Sequence, residues 1–339
     1  MADRHFLDLT ADDQRDVYRA MSAQLNRPAE YLEKDVWLCW TLDVLFRMSD
    51  VPGMAFKGGT SLSKVYGAIQ RFSEDLDITL NPYALATDFD PFPAETTGGQ
   101  RAKLGERLRS RTREVVAEGI LPILTDAIAA VGGTVLANVD EAATLHVHYA
   151  SVLGAGDESY ARPQVILEFG GRNETTPAQR HTITADMAPA LPLLSFPSAT
   201  IDVLSAARTF WEKATLIHAH NSKPQGKDLA ERQSRHWSDL AMLADTEIGA
   251  TALADRALLA DVIRVKEIHF RTATTQYSHV IGGRARLVPK GQTRKTLADD
   301  YAAMESMFIG TPRPFEEILT RLAALETLIN ADARTQERS

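Results

Sequence analysis

One stretch decides the fold, Ala55-Phe-Lys-Gly-Gly-Thr-Ser-Leu-Ser-Lys-Val-Tyr66, with its continuation Arg71-Phe-Ser-Glu-Asp-Leu-Asp-Ile-Thr-Leu80. A short apolar run ends at two glycines, which permit backbone angles that other residues resist. We expect a short helix to follow, capped by Thr60 or Ser61, and a second strand over residues 76–80. The stretch therefore predicts a strand, a glycine turn, a helix and a second strand in succession.

Two aspartates, Asp75 and Asp77, carry the chemistry of this stretch. Side chains at positions i and i+2 share one face of a strand, with Cα atoms ~6.6 Å apart. Carboxylates so placed repel each other unless a cation lies between them, and hard oxygen ligands suit Mg²⁺. The turn at Gly58-Gly59 opens a helix N-terminus, which favours anions, and Ser61 is placed where a triphosphate would lie. The sequence thus predicts a site for Mg²⁺ and a nucleoside triphosphate (NTP).

The composition indicates an ordinary globular protein. The chain has 339 residues, of which 44% are hydrophobic and 24% charged, and this length favours two subdomains. The single cysteine, Cys39, excludes an intrachain disulfide, and no run approaches the ~20 apolar residues of a membrane span. We therefore expect a cytoplasmic protein without a membrane partner. A net charge of −8 argues against a generally basic nucleic-acid binder but permits a local basic groove.

The motifs resemble those of a known enzyme superfamily. Gly58-Gly59-Thr60-Ser61 followed by Asp75-x-Asp77 is similar to the active-site signature of polymerase β-like nucleotidyltransferases. The fuller strings, residues 56–64 and 72–78, resemble more closely the AbiEii/AbiGii toxin family, the toxin half of type IV toxin–antitoxin and abortive-infection systems, related to the MenT toxins. The resemblance implies an α+β fold with a nucleotidyltransferase (polymerase β-like) mixed-sheet core and a helical C-terminal subdomain. The alternative is a βαβ turn with surface acids.

Two domains are expected. Residues 1–200 would form the nucleotidyltransferase catalytic domain with its N-terminal helices, and residues 201–330 a helical bundle that completes the active site. Asp202 is expected to cap the first helix of that bundle. Further expectations are helices over residues 10–25, 28–48 and 101–131, and strands within residues 134–194.

A third acid is Glu168, inside the apolar run Val165-Ile-Leu-Glu-Phe169. A carboxylate within a buried strand is costly unless it is paired or bound to a metal. The resemblance implies a third carboxylate on a neighbouring central strand, which serves as a metal ligand or as general base. The predicted metal ligands are therefore Asp75, Asp77 and Glu168. An ion pair of Glu168 with Arg172 or Arg71 is the alternative.

Positive charge is expected from the second subdomain. The resemblance implies that Lys213 contacts the triphosphate, and a snorkelling surface lysine is the alternative. Arg235 and Asp239 lie four residues apart on one predicted helix, where they can pair, and Asp239 would hold Lys213 or a metal-bound water in position. A local basic patch, expected to receive a polynucleotide or the nucleotide phosphates, comprises Lys223, Lys227, Arg232 and Arg235. The alternative is a solvated helix face and loop.

The remaining assignments concern nucleotide binding and helix packing. Glu33-Lys34-Asp35 is expected to make an ion pair or to pack a helix on the sheet, with a substrate contact by Lys34 as the alternative. Relatives place a basic residue shortly after the glycines, and Lys64 and Arg71 both fit that description. The complete predicted nucleotide-binding set is Lys57, Gly58, Gly59, Thr60, Ser61, Lys64, Arg71, Ser73 and Arg235.

The expected activity is Mg²⁺-dependent transfer of a nucleoside monophosphate (NMP) from an NTP to an acceptor. The resemblance implies a toxin that acts on RNA, with the 3′ end of tRNA as its target, and a cognate antitoxin as partner. Transfer to protein side chains stays open, as does a non-catalytic nucleotide- or partner-binding module of the same fold. A P-loop kinase is excluded because the glycines do not fit Gly-x₄-Gly-Lys-[Ser/Thr].

Overall fold

A computed structural model describes residues 4–139, 143–154, 162–223 and 231–336. The chain forms two compact units, and each is assembled from three segments. The first unit comprises Met1–Val65, Phe72–Phe89 and Arg107–Val203, and the second Tyr66–Arg71, Asp90–Glu106 and Leu204–Ser339. The chain therefore leaves the first unit within the stretch that decides the fold, and returns to it just before the two aspartates.

The helices and strands follow one another along the chain. The strands are β1 (Arg4–His5), β2 (Met54–Lys57), β3 (Asp75–Leu80), β4 (Thr134–Asn138), β5 (Thr144–His148), β6 (Gln164–Gly170), β7 (Ala178–Thr184), β8 (Leu194–Ser195) and β9 (Ser198–Leu204). The helices are α1 (Ala11–Leu25), α2 (Ala29–Phe46), α3 (Gly58–Lys64), α4 (Pro82–Leu85), α5 (Gly98–Glu114), α6 (Leu121–Ala129), α7 (Ala206–Asn221), α8 (Arg235–Ala244), α9 (Glu247–Ala254), α10 (Arg256–His269), α11 (Ser278–Ile281), α12 (Gly291–Ala303) and α13 (Phe315–Gln336).

A seven-stranded mixed sheet forms the centre of the first unit, in the order β4-β5-β6-β3-β2-β9-β7. Strand β3 lies in the middle, antiparallel to β2 and parallel to β6. Leu76 and Ile78 of β3 are fully buried, so their face of the strand packs into the core and the aspartates occupy the other face. The predicted mixed-sheet core is thus confirmed.

The N-terminal helices begin and end near the predicted positions. Thr10 caps α1, and its Oγ1 accepts a hydrogen bond from the Asp13 amide at 3.1 Å. Helix α2 is buried along most of its length, and Cys39 on it is fully buried. Burial raises the pKa of the Cys39 thiol well above its ordinary value.

The start of α3 differs from the prediction. The helix begins at Gly58, with Lys57 as a cap residue that makes no side-chain cap hydrogen bond, so Thr60 and Ser61 do not cap it. The left-handed backbone at Gly58, with φ of 81°, turns the chain into the helix three residues earlier than a cap at Thr60 would.

Asp202 was wrongly predicted to cap a helix. It lies on β9, where Ala199, Ile201 and Val203 are buried while Thr200 and Asp202 are exposed. This alternation is that of a half-buried strand, and the apolar pair Val203-Leu204 obscured it in the sequence. Helix α7 begins only after Ser205.

The helix expected over residues 101–131 is interrupted. Helix α5 ends at Glu114 and a π-helical turn, Val115–Ile120, separates it from α6. Pro122 has no amide hydrogen to donate to the preceding turn, which favours such an irregularity near the start of α6.

Helices dominate the second unit, as the sequence predicts. Trp211 of α7 and Trp237 of α8 are fully buried, and their indole N–H groups donate to the carbonyls of Ala252 and Leu287 at 2.9 and 3.1 Å. Over the described ranges, every helix is either too short or too polar to cross a membrane.

Candidate functional site

Strand register brings charged side chains together around Asp77. Asp77 lies opposite Lys57 of β2 and opposite Glu168 of β6. Residues directly opposite each other on neighbouring strands project from the same face, with the strands ~4.8 Å apart. Asp75 shares this face because it is two residues away. The backbone therefore places three predicted acids and one predicted nucleotide-binding lysine on one face of the sheet.

The carboxylate of Asp77 packs directly against the glycine turn. A Cβ atom added to Gly58 would overlap Asp77 Oδ2, so only glycine fits there. Thr60 Oγ1 donates to the carbonyl of Asp75 at 2.6 Å, which ties α3 to the first residue of β3. The turn and the two aspartates are thus held as one structural element, which we call the turn–strand region (residues 57–61 and 74–77).

The hydroxyl groups of this stretch point into the protein. Ser61 is fully buried and its Oγ donates to the carbonyl of Gly58 at 2.9 Å, while Thr60 and Ser73 are 3% and 8% exposed. Gly59 is also buried. The hydroxyls of Thr60 and Ser61 therefore support the turn and β3 through backbone carbonyls.

The donor set fits a hard cation that is shared with a substrate. Asp75 and Asp77 are half-buried, so their oxygens are accessible from the open face of β3. Glu168 is exposed, because β6 alternates buried and open positions, so the expected burial of this carboxylate was wrong. In the part of the chain that the structure describes, no three His, Cys, Asp or Glu side chains converge as a metal-binding group. Mg²⁺ is commonly held by one or two carboxylates together with substrate phosphates, which this arrangement permits.

Lys64 lies in a buried ion-pair cluster. Its Nζ contacts Asp35 Oδ1 at 2.5 Å and Asp186 Oδ1 at 2.7 Å, and its side chain is 7% exposed. Burial opposes the charge on Lys64, but Asp35 and Asp186 outweigh it and hold the pKa of Lys64 above its ordinary value. Arg27 also pairs with Asp186. The structure therefore gives Lys64 carboxylate partners inside the protein.

The Glu33-Lys34-Asp35 triplet makes the ion pair that the sequence predicts. Lys34 is fully buried, and its Nζ lies 2.6 Å from Glu74 Oε2. Glu33 and Asp35 are also buried, with 3% and 8% of their surface exposed.

A second charged cluster, Arg71–Asp239–Lys213, lies within the second unit. Arg71 donates to both carboxylate oxygens of Asp239, at 2.7 and 2.8 Å, and Lys213 Nζ donates to Oδ2 at 2.8 Å. All three residues are buried, with exposed fractions of 2%, 0% and 7% for Arg71, Asp239 and Lys213. Lys213 is therefore not a snorkelling surface lysine, and Asp239 holds it in place.

Burial and the neighbouring charges shift the pKa values of two residues of this cluster. Burial would raise the pKa of Asp239, but Arg71 and Lys213 outweigh it and hold that pKa far below its ordinary value. Burial lowers the pKa of Lys213, and Asp239 offsets this only in part because Arg71 and Arg235 are nearby. Two cations thus bind one carboxylate, which keeps Asp239 ionised and fixes the Lys213 ammonium.

Sequence reasoning missed the principal partner of Asp239. Arg71 is 168 residues away along the chain, so no local pattern could indicate the pair. Arg235, the expected partner, is half-buried at the first position of α8. Of the proposed basic patch, Arg232 donates its backbone N–H to Asp300 at 2.6 Å, whereas Lys227 falls outside the described residues.

Comparisons with known proteins identify the family of this chain. Residues 42–321 match the family described as "Nucleotidyl transferase AbiEii toxin, Type IV TA system". Among solved structures, the chain is similar to MenT4, a nucleotidyltransferase toxin of Mycobacterium tuberculosis H37Rv, with a TM-score of 0.53 and 18% identity, over 94% of this chain and 92% of that one. No curated protein matches the sequence significantly. Since the family match spans most of its length, the chain belongs to the AbiEii family of nucleotidyltransferase toxins of type IV toxin–antitoxin systems.

Proposed function

We propose that this protein transfers an NMP from an NTP to an acceptor hydroxyl, with Mg²⁺ held by Asp75 and Asp77. The observation that carries the proposal is the contact between the Asp77 carboxylate and the Gly58 turn. That contact joins a pair of oxygen ligands to a row of backbone N–H groups, which together match a metal-bound triphosphate.

Each residue of the turn–strand region has a distinct task in this proposal. The backbone at Gly58-Gly59 orients the triphosphate, and the buried hydroxyl of Ser61 keeps the turn in shape through the Gly58 carbonyl. The acceptor oxygen attacks the α-phosphorus, the bond from that phosphorus to the β-phosphate oxygen breaks, and pyrophosphate leaves. Glu168, exposed on β6, accepts the proton of the acceptor hydroxyl. When bound, Mg²⁺ neutralises charge on the phosphates and activates the acceptor oxygen.

Lys213, within the second unit, is the residue of this cluster that we assign to binding an anionic group. Its Nζ is fixed by Asp239 at 2.8 Å, and the Arg71 guanidinium binds the same carboxylate. An ammonium group held in one position can stabilise negative charge on a ligand. Asp239 acts here as a positioning residue that fixes Lys213.

The proposed acceptor is RNA, with the 3′ end of tRNA as the reacting group and a cognate antitoxin as the regulatory partner. Arg232 and Arg235 offer local positive charge for a polynucleotide in spite of the net charge of −8. A cytoplasmic location follows from this proposal, because NTPs and tRNA meet there.

A labelling experiment tests the activity and separates the acceptors. The protein is incubated with each of four α-labelled NTPs and Mg²⁺, together with total tRNA or with a tRNA-free protein extract. We expect label in the RNA fraction, lost on addition of EDTA. Label in protein alone would replace the RNA acceptor with a side chain. NTP binding that requires Mg²⁺, without transfer to either pool, would favour a binding module of the same fold.

A further inference from the structure

Helix α2 contacts the turn–strand region and the end of α3 through two adjacent buried residues. Lys34 bonds Glu74, the residue directly before Asp75, at 2.6 Å. Asp35 bonds Lys64, the last residue of α3, at 2.5 Å. Consecutive residues have Cα atoms 3.8 Å apart. One short piece of α2 therefore contacts both the end of α3 and the residue before β3.

Both contacts are reinforced by further bonds. The Lys34 ammonium lies 5.8 Å from the centre of the Phe72 ring, and Phe72 stacks on Tyr31 of the same helix with ring centres 4.1 Å apart. Asp35 Oδ2 accepts the backbone N–H of Asp186 at 2.7 Å, and Asp186 in turn bonds Lys64. The Lys34–Glu74 and Asp35–Lys64 ion pairs are therefore each part of a small network within the first unit.

The two ion pairs flank the segment in which the chain leaves the first unit. The chain departs after Val65 and returns at Phe72, so Lys64 and Glu74 stand on either side of this excursion. Because α2 holds both of them, the distance between the glycine turn and the aspartates is set inside the first unit and does not depend on the path of residues 66–71.

The burial of these charges is not explained by stability alone. A buried ion pair is weak evidence for stabilisation, since apolar residues of similar volume often replace one at no cost. Lys34 is nevertheless fully buried and Asp35 nearly so. A buried charge pair does fix direction and distance more strictly than apolar packing, which is what a metal- and phosphate-binding element needs.

We propose that Lys34 and Asp35 are positioning residues for nucleotidyl transfer: through Glu74 and Lys64 they fix the glycine turn against the two strand aspartates. This inference rests on the proposed function of the turn–strand region. It assigns these residues no contact with substrate, in contrast to a direct substrate role of Lys34.

Glu33 provides a matched control on the same helix. It is as buried as its neighbours, yet its carboxylate accepts hydrogen bonds from Ser151 Oγ and the Val152 amide, at 2.7 and 2.8 Å, and none of these atoms belongs to the turn–strand region. Glu33→Gln therefore disturbs the same helix to a similar degree but leaves the Lys34–Glu74 and Asp35–Lys64 ion pairs unchanged.

The test compares the double variant Lys34→Met/Glu74→Met, the single variants Asp35→Asn and Lys34→Arg, and the control Glu33→Gln in the full chain. Three quantities are measured: the melting temperature, the affinity for Mn²⁺ from the paramagnetic resonance of free ion, and kcat and KM for NTP. We expect the double variant and Asp35→Asn to bind Mn²⁺ more weakly and to lose ~10–100-fold in kcat at a temperature where both are folded. Lys34→Arg keeps a cation beside Glu74, so it should lose much less Mn²⁺ affinity and kcat than the double variant. Glu33→Gln should keep wild-type Mn²⁺ affinity whatever its melting temperature.

Two results would overturn the positioning role. One is wild-type Mn²⁺ affinity and kcat in folded double and Asp35→Asn variants. The other is an equal loss in Glu33→Gln, which would show a general effect of disturbing α2. Wild-type protein that transfers no label would instead count against the proposed function, and the Mn²⁺ measurement would still decide whether α2 shapes the aspartate pair.

Discussion

Asp77 in the first unit and Asp239 in the second are the same side chain in two opposite environments. Asp239 is fully buried; its Oδ1 accepts from Arg71, and its Oδ2 accepts from both Arg71 and Lys213. Asp77 is half-buried on an open strand face, against the backbone of a glycine turn. A carboxylate whose oxygens are filled by two cations serves as an internal counterion. Asp77 lies half-buried beside the glycine turn, where we propose that it binds a metal and a nucleotide.

The largest expected effect comes from Asp77→Asn. Replacing the carboxylate with a neutral amide should lower nucleotidyl transfer by ~10³-fold or more, since a ligand of the metal is lost. The free energy of unfolding should change by about 0.5 kcal/mol or less, because the side chain is not part of the core. Transfer from α-labelled NTP and urea unfolding measure the two quantities. A variant with near wild-type transfer would contradict the assignment.

Asp239→Asn should lower stability much more than Asp77→Asn does. It leaves Arg71 and Lys213 buried without their counterion, which costs about 3–5 kcal/mol. Chemical unfolding followed by tryptophan fluorescence would report it, since Trp211 and Trp237 are buried in the same unit.

Asp245→Asn is the control for that experiment. Asp245 also binds two arginines, Arg313 at 2.8 Å and Arg321, but its side chain is 39% exposed. Loss of this surface network should cost about 1 kcal/mol or less. Equal losses in the free energy of unfolding for Asp239→Asn and Asp245→Asn would show that burial of the counterion does not determine its contribution to stability.

Gly58→Ala should show a smaller effect, specific to activity. Both Gly58 and Gly67 have positive φ, 81° and 57°, so alanine at either costs roughly 1 kcal/mol of backbone strain. Only at Gly58 does the new methyl overlap the Asp77 carboxylate, since nothing lies within 4 Å of a Cβ at Gly67. We expect Gly58→Ala to lose ~10²-fold in kcat and Gly67→Ala to keep it, with similar melting temperatures. Equal kcat values for Gly58→Ala and Gly67→Ala would show that the contact between the Gly58 turn and Asp77 does not matter for activity.

Sequence alone predicted the local features and missed the distant pairings. The turn–strand region and the Thr10 cap depend on residues close in the chain, so their patterns were readable. The Arg71–Asp239 pair joins residues 168 apart, and the carboxylate partners of Lys64 come from α2 and from the segment after β7, so neither had a local signal. The cap prediction for Asp202 was wrong because the apolar pair Val203-Leu204 obscured the alternation of buried and exposed residues along β9.

The smallest expected effect is a pH dependence in the second unit. His218 Nε2 donates to the carbonyl of Gln276 and Nδ1 accepts the Arg286 amide, an arrangement that needs the neutral ring. Burial lowers the pKa of His218 to about 4, from about 6.5 in an unfolded chain. The unfolded state then binds more protons between these values, so this contribution to stability is complete above pH ~6.5 and is lost as the pH falls through 4.

His218→Gln tests this pH dependence. The free energy of unfolding of the wild-type protein, measured in urea from pH 7 to pH 4, should fall more steeply than that of the variant. Asp239 keeps its charge throughout this range, because its pKa is held far below the ordinary value. Parallel curves for the two proteins would show that His218 does not titrate differently on folding.

The buried thiol on α2 gives the chain an internal reporter. Cys39 is the only cysteine among 339 residues, and the folded protein hides it completely. Alkylating reagents act on an accessible thiolate, so modification should require an opening of the helix that also carries Lys34 and Asp35. The rate of alkylation, read by mass spectrometry as a gain of one adduct, would therefore report how often this helix opens in the native protein, without a substitution in the chain.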